Sequence, residues 1–294
     1  MSSGRESNSY HNYNSSINDN HDSSIYPICA FHANRINKFL DNEALTPLLR
    51  KVQAQTRVAL DVIKTALERY RYGNSKCTSS LPKISLSYNG GKDCLVLLIL
   101  LLSALAGTGA IEPVKTTTTT SSRTRSSSKT RSSSSRRLPS VYVMSPNPFP
   151  EVDAFVTASA EMYGLDLVRY TFPMRTAFTC YLEERREIKA ILVGTRRSDP
   201  HGKLLTHFDE TDSGWPRFMR VHPVIDWHYS EIWAFIRYFE IPYCKLYDQG
   251  FTSLGGIDDT HPNPALRVDE ESDVFKPAYE LEDEDAERLG RDDS

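Results

Sequence analysis

A polar, glycine-rich turn in the first third of the chain has the residue types and spacing of an anion-binding site. It reads SYNGGKD from Ser87 to Asp93 and lies between two apolar stretches. The stretch before it predicts a strand over 83–87, and the one after it predicts a helix from about Lys92 to Leu105. Adjacent glycines let a backbone approach a ligand closely, and the amide groups at a helix N-terminus attract anions. The sequence therefore predicts a phosphate-binding loop.

The spacing of this loop differs from two common phosphate loops. Walker A requires GxxxxGK followed by Ser or Thr, and the dinucleotide fingerprint requires GxGxxG. An ordinary strand-to-helix turn would account for Gly90 and Gly91, but not for the polar side chains around them. Lys92 adds positive charge, and Asp93 suits either Mg²⁺ or an arginine partner.

Strands and helices alternate along the middle of the chain. Apolar runs predict strands at 83–87, 140–146, 165–172 and 189–195, and helical spacing predicts helices at 42–72, 92–105, 149–164, 176–188 and 226–237, the last capped by Asp226. This order is typical of an α/β fold with a doubly wound, mostly parallel, Rossmann-like sheet, helices on both faces and a C-terminal extension. Ligands of such sheets bind beyond the carboxyl ends of the strands, so SYNGGKD and GTRRSD (194–199) should lie together.

The GTRRSD segment supplies a second set of candidate ligands, namely Gly194, Thr195, Arg196, Arg197 and Asp199. The glycine leaves room for a ligand, and the arginines suit phosphates. Asp199 would accept hydrogen bonds from a heterocycle or orient an arginine. A surface turn with an Arg–Asp pair is the simpler alternative.

The segment GWPRFMR (214–220) places a flat apolar surface beside positive charge. Trp215 and Pro216 would suit a planar heterocyclic ring, and Arg217 and Arg220 are further anion ligands. Ordinary packing is the alternative for an aromatic residue in a loop.

Composition limits the classes of protein to which the chain can belong. It has 294 residues and a net charge of −3, which gives no support to general nucleic-acid binding. Its five cysteines form no CxxC pair and fit a reducing compartment. The N-terminus has neither a secretory nor a mitochondrial pattern, and the longest apolar run is too short to cross a bilayer. We expect a cytoplasmic monomer that binds neither nucleic acid nor membrane.

Two polar segments are expected to be disordered, and residues 26–294 are expected to form one domain around the second of them. Residues 1–25 have little apolar surface to bury. Residues 113–138 form a Ser/Thr-rich insertion with interspersed lysine and arginine. A phosphorylated or anion-binding regulatory loop is the alternative for the insertion.

The last part of the chain is strongly acidic. Between Asp269 and Ser294, twelve Asp or Glu residues stand against three Lys or Arg, which favours a solvated tail. However, Arg288 and Arg291 lie about one helical turn apart, so their side chains can point the same way. Upstream, Tyr247 would either reach the pocket or belong to a structural turn.

The loop S-x-N-G-G-K-D resembles the S-G-G-K-D pyrophosphate loop of the adenine nucleotide α-hydrolase-like superfamily. The variant with Tyr88 and Asn89 is similar to that of the FAD synthetases (FMN adenylyltransferases) of fungi and animals, in the sulfonucleotide (PAPS) reductase branch. Further blocks resemble that family in the same order, at 149–155, 194–200, 214–237, 241–255 and 263–266. The resemblance covers about residues 42–291 apart from the insertion. Its single-domain form resembles the fungal enzymes.

This resemblance implies Mg²⁺-dependent transfer of AMP from ATP to the phosphate of FMN, which forms FAD and pyrophosphate and completes FAD biosynthesis from riboflavin. The implied catalytic residues are Asn89, Asp93, Asp199, Arg288 and Arg291, with Mg²⁺ on Asn89 and Asp93. ATP phosphates would bind at Ser87, Tyr88, Gly90, Gly91 and Lys92. The flavin would bind at Gly194, Thr195, Arg196, Arg197, Trp215, Pro216, Arg217 and Arg220. The product FAD would stay bound because both of its halves fill one site.

Three other functions fit parts of the sequence. A sulfonucleotide reductase needs a nucleophilic cysteine near the C-terminus, whereas the last cysteine here is Cys244. A tRNA-thiolating enzyme should show CxxC pairs and a basic face. A non-catalytic flavin or nucleotide sensor should have lost some of Asn89, Asp93 and Asp199, yet all three are present.

Overall fold

The computed structural model of the chain describes residues 25–71, 83–107, 137–269 and 272–292. Its helices are α1 (Tyr26–Leu40), α2 (Pro47–Arg69), α3 (Lys92–Ala106), α4 (Pro150–Met162), α5 (Met174–Glu184) and α6 (Tyr229–Tyr238). Its strands are β1 (Ile84–Ser87), β2 (Leu138–Val143), β3 (Leu165–Tyr170), β4 (Ala190–Leu192), β5 (Phe208–Glu210) and β6 (Met219–Val221). Short 3-10 helices follow at Lys245–Gln249, Pro264–Leu266, Ala278–Glu280 and Glu284–Arg288.

The six strands form one sheet in the order β3-β2-β1-β4-β6-β5. All neighbouring strands are parallel except the edge strand β5, which runs antiparallel to β6. The expectation of a mostly parallel α/β sheet is therefore confirmed. Strands β5 and β6 were not predicted because charged residues interrupt them, whereas the equally short β4 is an apolar run.

The switch point of the sheet lies beside its central strand. In β1, Leu86 pairs with Ser140 of β2 on one side and with Leu192 of β4 on the other. After β1, the chain adds β2 and then β3 on one side of it. It then crosses to the other side of β1, where β4 lies. A crevice therefore opens where the loops after β1 and β4 diverge, which is where doubly wound sheets bind their ligands.

Helices cover both faces of the sheet, as predicted. Helix α3 is buried along nearly its whole length, with α1, α2 and α6 packed around it. This position explains the long apolar run of α3, because a helix surrounded by protein needs no polar face. On the opposite face, α5 packs Phe178 and Tyr181 against Ile191 of β4 in a smaller cluster. The larger cluster includes residues from Ile25 to Ala286, so both ends of the described chain share a core with the sheet.

The structure changes several predicted boundaries. Helix α1 was not predicted, and its buried Ile28, His32, Ile36 and Phe39 give a helical spacing that polar neighbours obscure. Helix α2 begins only at Pro47, where the Thr46 hydroxyl accepts a hydrogen bond from the Leu49 amide at 3.3 Å.

The start of α6 is also corrected. Its N-cap is His228 rather than Asp226, and the Glu231 carboxylate accepts a hydrogen bond from the His228 amide at 2.9 Å. The Asp226 carboxylate instead forms an ion pair with Arg197 at 2.6 Å.

Two expectations about disorder fall largely outside the described residues, namely those for 1–24 and for 108–136. The end of the predicted insertion is ordered in the structure, since Arg137 pairs with Glu161 at 2.7 Å and Leu138 begins β2. Among the described helices, none combines the length and apolar character that crossing a bilayer demands.

Candidate active site

A cleft of about 250 Å³ opens at the switch point between β1 and β4. Its lining comprises the loop after β1, the first turn of α3, the loop after β4, a segment near residue 250 and the end of the chain. The lining residues are Ser87, Asn89, Gly91, Lys92, Asp93, Cys94, Val193, Gly194, Thr195, Asp199, Tyr247, Ser253, Leu254, Glu287, Arg288 and Arg291. The structure thus brings together the SYNGGKD loop, the GTRRSD segment and the C-terminal arginines.

The backbone of the SYNGGKD loop has a conformation that requires glycine. Gly90 has a φ of 75°, and a Cβ atom there would lie 2.7 Å from Cγ2 of Val156. The Asn89 side-chain oxygen accepts a hydrogen bond from the Gly91 amide at 3.0 Å. Because the turn is fixed in this way, α3 begins at once and its positive N-terminal end faces the cleft.

The loop after β4 packs directly on the first turn of α3. A Cβ atom on Gly194 would lie 2.8 Å from the Cys94 amide nitrogen, so only glycine permits this close approach. Asp199 closes the same loop by accepting a hydrogen bond from the Arg196 amide at 2.8 Å. The two polar loops therefore form adjoining walls of one cleft.

Four charged side chains form a buried ion cluster beneath these walls: Lys92, Asp93, Arg196 and Glu287. The Lys92 ammonium lies 3.1 Å from Asp93 and 2.6 Å from Glu287. The Arg196 guanidinium lies 2.7 Å from Asp93, without hydrogen-bond alignment, and donates a short hydrogen bond to Glu287. Two cations and two anions balance, which allows the cluster to be buried.

The cluster places two predicted ligands differently from their expected positions. The side chains of Lys92 and Arg196 are 2% and 1% exposed, and their cationic groups contact carboxylates. They were expected to contact phosphate or flavin as cations exposed to the cleft. The sequence did not indicate their actual partner, Glu287, because it lies among other acidic residues.

The charges of the cluster shift the pKa values of Lys92, of Asp93 and of the neighbouring Asp199. Burial alone would lower the pKa of Lys92, but Asp93 and Glu287 outweigh burial and raise it. Burial would raise the pKa of Asp93, but Lys92 and Arg196 outweigh it and lower it. Burial raises the pKa of Asp199, and the negative charge of Asp93 raises it further. Lys92 and Asp93 thus stay ionised at neutral pH.

The end of the chain is not the solvated acidic tail that its composition favours. Ala278, Leu281 and Ala286 are buried, and a 3-10 helix delivers Arg288 to the cleft. Arg291 also lines the cleft and pairs with Asp259 at 3.3 Å. For Arg288, the described part of the chain supplies no carboxylate within ion-pair distance. Arg288 therefore presents to the cleft a guanidinium that no carboxylate of the described residues pairs with.

Several predicted site residues lie away from the cleft. Tyr88 is fully buried and donates a hydrogen bond to Ser159 at 2.8 Å. Arg197 pairs with Asp226 on the surface, and Arg220 pairs with Asp212 at 3.4 Å. Trp215 packs against the smaller hydrophobic cluster, and Pro216 and Arg217 line a separate depression near α5. None of these residues lines the cleft.

The predicted Mg²⁺ ligands do not form a ready-made metal site. Both carboxylate oxygens of Asp93 face cations, and the Asn89 oxygen already accepts the Gly91 amide. Within the described residues, no group of three or more His, Cys, Asp or Glu side chains is arranged to hold a metal ion. The residues present therefore do not fit a metal bound by protein side chains alone.

Some residues of the site were not assigned from the sequence. Glu287 is the clearest, and Cys94 lines the cleft beside the loop. The Tyr247 hydroxyl accepts a hydrogen bond from the Lys92 amide at 2.9 Å. Of the two predicted positions for Tyr247, the pocket or a structural turn, the structure shows that it reaches the pocket. Burial raises the pKa of the Cys94 thiol to about 12, so this thiol is no thiolate nucleophile.

The chain is similar in sequence to FAD synthases. Residues 83–180 and 176–262 match the phosphoadenosine phosphosulfate reductase domain family. A probable FAD synthase of Schizosaccharomyces pombe is 36% identical over 259 residues, which cover 88% of this chain and 87% of that protein. The flavin adenine dinucleotide synthase of Saccharomyces cerevisiae is 37% identical over 216 residues, which cover 71% of this chain and 67% of that protein.

A solved structure agrees with the sequence relatives. The Candida glabrata FMN adenylyltransferase, crystallised in complex with FAD and inorganic pyrophosphate, is similar with a TM-score of 0.75 and 27% identity. The match covers 91% of this chain and 99% of that one. By its reductase-type domain, its sequence relatives and its fold, the chain belongs to the FAD synthase family.

Proposed function

We propose that the protein joins the AMP part of ATP to the phosphate of FMN, giving FAD and pyrophosphate. A phosphate oxygen of FMN attacks the α-phosphorus of ATP, and the bond from that phosphorus to the oxygen leading to the β-phosphate breaks. The observation that carries this proposal is the cleft, where a helix N-terminus faces two arginines from the end of the chain. FMN brings its own nucleophile, so the cleft needs no activated serine or cysteine.

The leaving pyrophosphate would lie in the loop after β1. The positive N-terminal end of α3 would attract the anion, and Ser87, Asn89 and Gly91 border the same space. Arg288 and Arg291 would spread the charge that develops as the two polyanions meet. Transfers of this kind depend mainly on positioning and electrostatic stabilisation, which these groups supply.

The FMN half would lie along the loop after β4. Gly194 leaves the space, and Thr195 and Asp199 border the cleft beside it. A carboxyl group with a raised pKa is suited to hydrogen bonding with a heterocycle. Among the residues predicted for the flavin, Gly194 and Thr195 are the ones whose positions support the role, and Asp199, predicted to be catalytic, lies beside them.

The proposal also covers how Mg²⁺ is carried, where the protein lies in the cell and its oligomeric state. Mg²⁺ would be carried by ATP on its own phosphates rather than by side chains of the cleft, which suits an ion that retains several waters. We place the protein in the cytoplasm as a monomer, with ATP and FMN as its partners. Gel filtration of the purified chain with a mass detector tests the monomer.

A direct assay tests the proposed function. The purified protein is incubated with FMN, ATP and Mg²⁺, FAD is separated by chromatography, and pyrophosphate is measured in parallel. Equal amounts of FAD and pyrophosphate are expected, with a flavin absorbance band in the purified protein if product is retained. A tightly bound flavin without FAD formation would instead favour the sensor.

A further inference from the structure

The C-terminal segment, defined as residues 278–292, is attached to both walls of the cleft through one carboxylate. Glu287 is 6% exposed and binds Lys92 at 2.6 Å. It also accepts a short hydrogen bond from Arg196. Lys92 begins α3, whereas Arg196 lies in the loop after β4. A single side chain thus connects the two phosphate-facing walls with the end of the chain.

The main chain of Glu287 is held as firmly as its side chain. The Thr252 hydroxyl donates a hydrogen bond to the Glu287 carbonyl at 2.6 Å. Asn263 donates to the neighbouring Ala286 carbonyl at 2.7 Å. Thr252 and Asn263 are almost completely buried. An acidic residue in a solvated tail would have none of these contacts, so the attachment is specific.

Glu287 and Arg288 are consecutive but lie in different environments. Glu287 faces the buried ion cluster, whereas Arg288 is exposed and borders the cleft. Fixing the first residue fixes the backbone from which the second one extends. In the same stretch, Glu282 is exposed, so acidity alone does not account for the burial of Glu287.

We propose that Glu287 is a positioning residue that places Arg288 and Arg291 over the phosphate loop by bridging Lys92 and Arg196. The predicted changes in kcat and KM rest on the proposed function, whereas the predicted changes in hydrogen exchange do not. It assigns the two buried cations to holding Glu287 rather than to binding substrate phosphate. If the contacts of Glu287 are lost, both the C-terminal segment and the two cleft walls should therefore become less ordered.

The main test compares Glu287→Gln with Glu282→Gln, the same substitution at an exposed site in the same stretch. Glu287→Gln should lower kcat by about 100-fold, as expected for a misplaced catalytic cation, while the KM for FMN changes by less than about threefold. Amide hydrogen exchange should quicken at 284–292. Glu282→Gln should match the wild type in both measurements.

A double-mutant cycle separates positioning from a general loss of structure. If Glu287 acts through Arg288 and Arg291, adding Glu287→Gln to the double variant Arg288→Ala/Arg291→Ala should lower kcat by less than about threefold more. If the fold-losses in kcat of the separate variants multiply fully in the combined variant, the proposal is overturned. An unchanged kcat for folded Glu287→Gln would also overturn it.

A milder variant keeps the test decisive if Glu287→Gln does not fold. Thr252→Val keeps every charge and removes the hydroxyl that donates to the Glu287 carbonyl and accepts from the Asn263 amide group at 2.9 Å. It should quicken exchange at 284–292 and lower kcat by about tenfold, since one lost hydrogen bond corresponds to about that factor. Unchanged exchange would overturn the proposal. If the wild type makes no FAD, the proposed function fails, and hydrogen exchange still decides the role of Glu287.

Discussion

Lys92 could either bind a phosphate or form a structural ion pair, and its residue type and its position in the loop do not show which. Beside two glycines at a helix start, a lysine is expected to bind phosphate. In the structure its side chain is 2% exposed and lies between Asp93 and Glu287. Glu287 is 195 residues away along the chain, so no local pattern indicates the pair. The sequence predicts the loop, but the partner of its lysine depends on the fold.

Replacing Lys92 with methionine tests whether the side chain is structural. Lys92→Met leaves two buried carboxylates against Arg196 alone, and removing one partner of a buried ion pair costs about 3–5 kcal/mol. Urea denaturation measures this change in the free energy of unfolding. The control is Lys64→Met on the surface of α2, where the pair with Asp61 is 3.9 Å long and exposed. That change should cost less than about 1 kcal/mol. Equal effects of the two substitutions would contradict the structural role.

Asp199 gives a prediction about pH. Its pKa is raised by burial and by the charge of Asp93, so ionised Asp199 weakens the folded state. Asp199→Asn removes that charge and keeps an oxygen for the Arg196 amide. Tm should therefore be higher than in the wild type at neutral pH. The gain should vanish as the pH falls below about 3.9, the unfolded pKa, because wild-type Asp199 is then protonated in both states.

Thermal denaturation between neutral and acidic pH measures the effect of Asp199→Asn. Asp61→Asn is a suitable control because Asp61 lies on an exposed position of α2. It should show no comparable gain at neutral pH. A gain for Asp199→Asn that stays constant down to acidic pH would show that lost charge is not its cause.

At the scale of elements, periodicity predicted the parts of the chain with regular apolar spacing. Strands β1 to β4 and helices α2 to α6 were expected near their observed positions. Helix α1 was missed because polar residues alternate with its buried face, and β5 and β6 were missed because charged residues interrupt their short apolar segments. The predicted acidic tail was wrong because composition does not show that a few apolar residues, such as Leu281, dock on the core.

The contact between β4 and α3 gives a prediction at this scale. Gly194→Ala would place a Cβ atom 2.8 Å from the Cys94 amide nitrogen, where backbone must shift. We expect a loss of about 1–3 kcal/mol in the free energy of unfolding, typical of overpacking, and weaker FMN binding. Gly107→Ala is the matched control at the other end of α3, since the nearest atom there is 3.7 Å away. Chemical denaturation of both variants measures the difference, and equal stability would contradict the packing argument.

The whole molecule brings distant parts of the chain to one point. The loops after β1 and β4 meet because the sheet changes direction there, and the doubly wound pattern predicted this from the sequence. The family resemblance predicted Arg288 and Arg291 in the cleft, and the structure places them there. It did not predict that Arg196 is buried or that Trp215 lies in another cluster. Those positions depend on packing between segments that local patterns do not relate.

One measurement tests the central claim most directly: the fate of each phosphate of ATP. The protein is incubated with FMN and Mg²⁺ together with ATP radiolabelled at either the α- or the γ-phosphate, and the products are separated by chromatography. Adenylyl transfer predicts that the α label enters FAD and the γ label enters pyrophosphate, in equal amounts. Label in free AMP, ADP or inorganic phosphate, with none in FAD, would contradict the account.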